Sequence, residues 1–121
     1  MMRHLSITLC ALLACACATS TMKTDDGLVI KERVNPMYPK QARDHAIIGC
    51  TSVSFVVRPD GTADQYQVVD SQPKGVFDST TLVAINQWRF EPAPGRHVET
   101  INYALPGVDD PAPKCNAAGK R

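Results

Sequence analysis

The sequence predicts an α+β domain in which a small antiparallel three-stranded sheet carries a helix packed on one face, in α-β-β-α-β order. Three observations predict it. Residues 50–57 alternate, with Val53, Phe55 and Val57 on one side and Ser52 and Ser54 on the other, the period of a half-buried strand. Arg58-Pro59-Asp60-Gly61-Thr62 follows at once with hairpin chemistry: Pro fixes φ, Asp accepts locally and Gly takes a positive φ. Further on, Phe77, Thr81, Ala84 and Trp88 recur at helical spacing and place the single Trp on an apolar stripe. A chain of 121 residues has room for one such domain.

Taken in order, the chain opens with Arg3 ahead of an apolar run over residues 5–18 that ends in small residues. The run is shorter than the roughly 20 apolar residues a spanning helix needs, and its layout is that of an export signal. Leu12-Leu13-Ala14-Cys15 resembles a bacterial lipoprotein processing site, at which the Cys becomes the lipidated first residue; Cys17 is a poorer version of the same pattern. Cleavage after Ala16 or Ala18, which leaves a soluble periplasmic protein, also fits the small-x-small rule. Ala follows each candidate Cys, and by resemblance this implies outer-membrane sorting of a lipid-anchored protein. The expected organisation is a signal over residues 1–14, a short flexible tether over 15–33, a domain over 34–105 and a polar, Pro-rich tail over 106–121. Leu28-Val29-Ile30 adds a brief edge strand or packs a single apolar side chain.

Within the domain, Asn35-Pro36-Met37-Tyr38-Pro39 cannot be helical, because each proline biases its predecessor to extended geometry. Residues 40–46 have helical composition, with Ala42 and Ala46 four apart, and Gly49 turns the chain into the first strand. The second strand covers residues 63–70. After a loop over 71–75, Asp78 and Ser79 suit a helix start, where free N–H groups need acceptors. Pro92 and Pro94 stop the helix. Residues 97–105 alternate again, with Glu99, Ile101, Tyr103 and Leu105 on one side. An exported chain meets an oxidising compartment. A Cys50–Cys115 disulfide would close a long loop and stabilise by about 4 kcal/mol on the chain-entropy model; the rival is a buried thiol at Cys50 and an unpaired thiol in the tail.

These elements resemble the C-terminal domain of TonB-family energy transducers over residues 36–105. The marks are Pro36-Met37-Tyr38-Pro39, Ala42, Gly49, Asp60-Gly61, Val68-Val69-Asp70-Ser71, Phe77-Asp78, Ala84 and, above all, Trp88-Arg89-Phe90-Glu91-Pro92-Ala93. Each is weak alone; their order and spacing carry the likeness. The resemblance implies a periplasmic fold, with Trp88 and Phe90 tying the helix end to the third strand. It also implies a partner: a short extended segment of an outer-membrane receptor, or of another envelope protein, added to the sheet as a strand. The edge that would accept it is His97, Val98, Glu99, Thr100, Ile101, Asn102, Tyr103, Ala104 and Leu105. Full transducers also carry an inner-membrane helix and a long Pro-rich spacer. These residues show neither pattern, so the resemblance implies docking rather than transduction of energy. Thr81 stands where the family usually has Ala, and Val83 is apolar where the family is usually polar, marking a contact surface.

Other functions find little support in the residues. Thirteen Lys and Arg against twelve Asp and Glu leave no electrostatic grip for nucleic acid. No nucleophile–base motif joins Cys50 to His45 or His97, so no enzyme is expected. His4, His45 and His97 lack metal-ligand spacing and read as solvated side chains; no cofactor or metal is expected. Two readings of the final edge stay open: a docking site, or an edge that pairs with a second copy or lies under the tail in a structural envelope protein.

Overall fold

Nine residues of unbroken strand, β3 (Gly49–Val57), form the middle of the molecule. The computed structural model describes residues 21–24 and 26–117, so Cys15, Cys17 and the whole signal lie outside the described residues. β4 (Ala63–Gln72) and β6 (Arg96–Tyr103) pair antiparallel with β3 on either side, giving the order β4-β3-β6. The hairpin joining β3 to β4 closes as its residues require. Arg58 N donates to Thr62 O at 2.8 Å, Gly61 N to Arg58 O at 2.9 Å and Thr62 N to the Asp60 carboxylate at 3.0 Å. Helices α1 (Lys40–Asp44) and α2 (Asp78–Gln87) complete the expected α-β-β-α-β order. The α+β class with a helix on one face of a three-stranded sheet holds.

Beyond the brief strand expected at residues 28–30, the sequence does not announce a second sheet. β1 (Met22–Lys23), β2 (Val29–Glu32) and β5 (Arg89–Phe90) form an antiparallel ladder in the order β1-β2-β5. Two expectations change. The part of the supposed flexible tether from residue 21 onward is built into the fold, with Leu28 and Ile30 in the core. Phe90 pairs with Ile30 instead of tying the helix to the third strand of the main sheet. Two-residue strands carry no periodicity of their own; they exist here because neighbours supply partners. Phe90 N donates to Gly61 O at 2.9 Å and Glu91 N to Val29 O at 3.0 Å.

That contact gives Gly61 a second task. At φ +85° it turns the hairpin, and a Cβ there would lie 2.6 Å from the Phe90 carbonyl oxygen. Gly49 is still more confined: a Cβ would meet the Gln72 carbonyl oxygen at 1.9 Å and the Phe77 ring at 2.8 Å. Both glycines of the family pattern are there because backbone passes too close for any side chain.

Helix α2 buries the predicted stripe: Phe77, Thr81, Ala84 and Trp88 are all buried, joined by Ile85. Its start differs from the expectation. Phe77 occupies the N-cap without a side-chain capping bond, and Asp78 sits in the first turn, where its charge complements the helix dipole. Thr81, the departure from the family's Ala, is satisfied by donating to Phe77 O (2.7 Å) and by a hydroxyl–hydroxyl bond to Tyr103 (2.6 Å). The helix ends at Trp88, whose ψ of 156° has already left helical space. α1 stops at Asp44, two residues short of its predicted end, and Ala46 adopts φ 53° to turn the chain toward β3.

The half-buried reading of β3 also needs correction. Thr51, Val53 and Phe55 face the helix, but Ser52 and Ser54 are buried as well. On that second, polar face the C-terminal segment returns across the sheet. Cys50 and Cys115 form a disulfide, 65 residues apart in sequence, with Cα atoms 5.8 Å apart. The free-thiol alternative is therefore discarded.

Candidate docking edge

β6 has β3 on one side and, among the described residues, no strand along the other. Its register with β3 runs without a shift from Val56↔Arg96 to Gly49↔Tyr103. The opposite border of the sheet is unlike it. The β3–β4 pairing shifts register between Ser52 and Val53 and again between Ser54 and Val56, and Gln65 in β4 takes φ 51°. Bulges of this kind twist an edge away from further pairing. Of the two borders, only β6 presents a regular row of main-chain groups.

Of the nine residues predicted for this edge, Ala104 and Leu105 fall beyond the strand, which ends at Tyr103, and Arg96 joins at the front. His97, Glu99, Ile101 and Tyr103 are buried on the helix face, while Arg96, Val98, Thr100 and Asn102 line the polar face at partial or full exposure. Each end of β6 is held. At the far end Tyr103 stacks on Phe77 (4.2 Å between centroids, 12° between planes) and meets the Tyr38 ring edge-on at 5.8 Å. The Tyr38 hydroxyl donates in turn to Ile47 O, which explains the Tyr38-Pro39 mark. Burial pushes the Tyr103 phenol up, with the Thr81 bond opposing in part.

At the near end the structure corrects the sequence reading of His97 as a solvated side chain. Its Nδ1 lies 2.8 Å from Asp26 Oδ2 and its Nε2 3.4 Å from Ala93 O. Asp26 is 71 residues from His97 in the chain, so no local pattern announces their contact. Burial pushes the Asp26 carboxyl up, but bonds from the Thr24 hydroxyl, the His97 ring and the Leu28 N–H outweigh it and hold the group below 3.8. A carboxyl lowered in this way stabilises the fold above its ordinary range and loses that contribution as pH falls through its folded value. Asp26→Asn is accordingly expected to lower Tm at neutral pH, and the two melting curves should converge as acid protonates the Asp26 carboxyl, below the ordinary carboxylate range. A Tm gap unchanged down to pH 2 would contradict this.

The polar face is cross-braced. Arg96 donates to Ser54 Oγ at 3.1 Å and, through both terminal nitrogens, to Gln65 O at 2.8 and 3.1 Å, spanning all three strands. Ser52 and Thr100 share a hydroxyl bond of 2.7 Å. The returning tail is fixed over β3 and β4: Cys115 is bonded to Cys50, and Asn116 N donates to Asp70 Oδ2 at 2.6 Å. The disulfide sulfur of Cys50 also touches Pro113 O at 3.4 Å, a contact without a proton. These anchors place residues 113–116 over β3 and β4 instead of along the outer side of β6.

Residues 34–106 match the family model described as the Gram-negative bacterial TonB protein C-terminal. The chain is 35% identical over 96 residues to Protein TonB of Klebsiella pneumoniae, covering 78% of this chain and 40% of that protein. With Protein TonB of Pseudomonas aeruginosa it shares 40% over 57 residues, covering 47% of this chain and 17% of the relative. The chain thus spans well under half the length of these relatives. Among solved structures it resembles the Pseudomonas aeruginosa TonB CTD, determined in solution by NMR, with a TM-score of 0.59 and 26% identity over 74% of this chain and 99% of that one. β1, β2 and the disulfide-bonded end of the tail fall outside residues 34–106, which the family model matches.

Proposed function

The chain belongs to the family of Gram-negative TonB protein C-terminal domains, and from that premise we propose that it is an exported envelope protein that docks an extended segment of another envelope protein. The family relatives favour an outer-membrane receptor as the source of that segment, and so a link to transmembrane transport. Strand addition to β6 is the mode: main-chain hydrogen bonds supply affinity, and alternate side chains of the segment meet the two faces described above. The observation that carries this reading is the regular outer border of β6 beside a bulged β4. The route of the tail supports it further, because a shielded edge would need the tail to run along β6.

Titrating the 15N-labelled mature protein with peptides from receptor N-terminal segments tests the proposal. Saturable shifts concentrated on residues 96–103 are expected. Absence of saturable binding, or shifts centred on β4, would overturn it. The same reading places a lipid on Cys15, or failing that Cys17, with residues 1–14 removed; the intact mass of the mature protein should show an acylated N-terminal Cys. An unmodified N-terminus at residue 17 or later would exclude Cys15.

A further inference from the structure

The chain leaves β6 through a reversal. Val108 N donates to Leu105 O at 3.3 Å around Pro106 and Gly107, and Gly107 takes φ +80°, the residues and the sign that a type II turn requires. A chain turned back at the end of an edge strand is placed to pair with it antiparallel. Here it does not. Cys115 is fastened to Cys50 on the central strand and Asn116 to Asp70 on β4, which draws the tail across the sheet. Between the turn and these anchors, residues 109–112 and 114 are exposed and Pro113 is half-buried. The same stretch has the sequence of an outermost strand. Residues 109–116 match β6 in length, eight residues each. Pro111 and Pro113 are two apart, so in an extended chain both face one side. That side gives no hydrogen bond at those positions, while the other keeps the N–H groups of Asp110, Ala112, Lys114 and Asn116. A strand that pairs on one side only closes a sheet to further partners.

We propose that the Cys50–Cys115 disulfide is a redox latch on the docking edge. Oxidised, it holds the tail across the sheet and leaves the outer side of β6 open. Reduced, it frees the tail to swing about the turn at 105–108 and lie along β6 as a fourth strand. The latch rests on the docking reading of β6 given above. Reduction is exchange with a dithiol. The dithiol's thiolate attacks Sγ of Cys115, which is half-buried where Cys50 is completely buried, and Cys50 departs as a thiolate that takes up a proton. The second sulfur of the dithiol then displaces Cys115 as a thiol and closes the reductant's own disulfide. Two electrons and two protons thus pass from the dithiol to the two cysteines. A competitor joined directly to the edge acts at an effective concentration in the millimolar range. A tail closed about nine-tenths of the time leaves about one-tenth of the edges competent, and so weakens docking about tenfold.

Titration of the mature protein with the same receptor N-terminal peptides, before and after reduction with dithiothreitol, tests this. Reduction should raise the apparent Kd about tenfold. Hydrogen exchange should slow at those amides of residues 96–103 that β3 leaves free. The double variant Ala112→Pro, Lys114→Pro removes two donors from the pairing side of the tail at exposed positions. When reduced, it should bind peptide as the oxidised native protein does. An unchanged Kd on reduction overturns the proposal. So does a loss of affinity that the double variant fails to reverse, which would arise in the sheet and not from the tail. Peptide bound by neither form would refute the docking reading, and exchange alone then decides the latch: β6 amides equally fast in both forms overturn it.

Discussion

Replacing Trp88 with Ala is expected to cost about 3–5 kcal/mol, the range for a fully buried aromatic cut to a methyl. In a domain whose whole stability is on the order of 5–15 kcal/mol, that leaves little. The indole is completely buried at the junction of both sheets. Its ring lies 5.9 Å from that of Phe90, the Arg33 guanidinium sits 4.7 Å above its centroid, and its N–H reaches Val34 O. Trp88→Phe separates the parts. Most of the apolar volume stays, the Val34 carbonyl loses its donor, and a smaller loss of about 1–3 kcal/mol is expected. Urea unfolding followed by far-UV circular dichroism is the measurement, since the variants lack the reporter indole. A loss under 1 kcal/mol for the Ala variant would contradict the packing described here.

Opening the Cys50–Cys115 bond should cost nearly as much. For a loop closed over 65 residues, the chain-entropy relation gives about 4 kcal/mol. Cys115→Ser and chemical reduction of the native protein should agree, because both act chiefly by freeing the unfolded chain. The native state should change only locally: the amide of Asn116 should lose its protection once the tail leaves Asp70, while β6 amides bonded to β3 keep theirs. Denaturation with and without reductant gives the first quantity and hydrogen exchange the second. Equal stability of the oxidised and reduced forms would rule out this account.

Much of the docking edge was legible in the sequence, and the part that was not has a common physical cause. Alternation of Ile101 and Tyr103 with Thr100 and Asn102 predicts β6, and the stripe from Phe77 to Trp88 predicts what covers the sheet, because both patterns are local. Gly61 and Gly49 were legible as turn positions; their close approach to Phe90 and Gln72 is tertiary and was not. β2 was foreshadowed by the brief strand expected at residues 28–30; β1 and β5 escaped because two-residue strands carry no periodicity, and β5 is held by a partner far back along the chain. The burial of Ser52 and Ser54 escaped because Arg96 and the returning tail enclose them from outside their own hairpin. His97 escaped for the same reason, its partner Asp26 lying in the stretch read as a tether. Cys50 and Cys115 could be paired beforehand only because the export signal implied an oxidising environment.

The two ends of β6 are fastened differently, and this bears on how the strand answers to traction. Arg96 clamps the leading end to Gln65 across the central strand, and beyond the trailing end the tail is returned by the sulfur bridge of Cys115 to Cys50, the β3 residue that pairs with Asn102. Peeling a ribbon from its neighbour must begin at a free corner, and neither corner is free. A tug along the strand axis would be shared by the whole ladder at once, in shear, instead of breaking its rungs one after another.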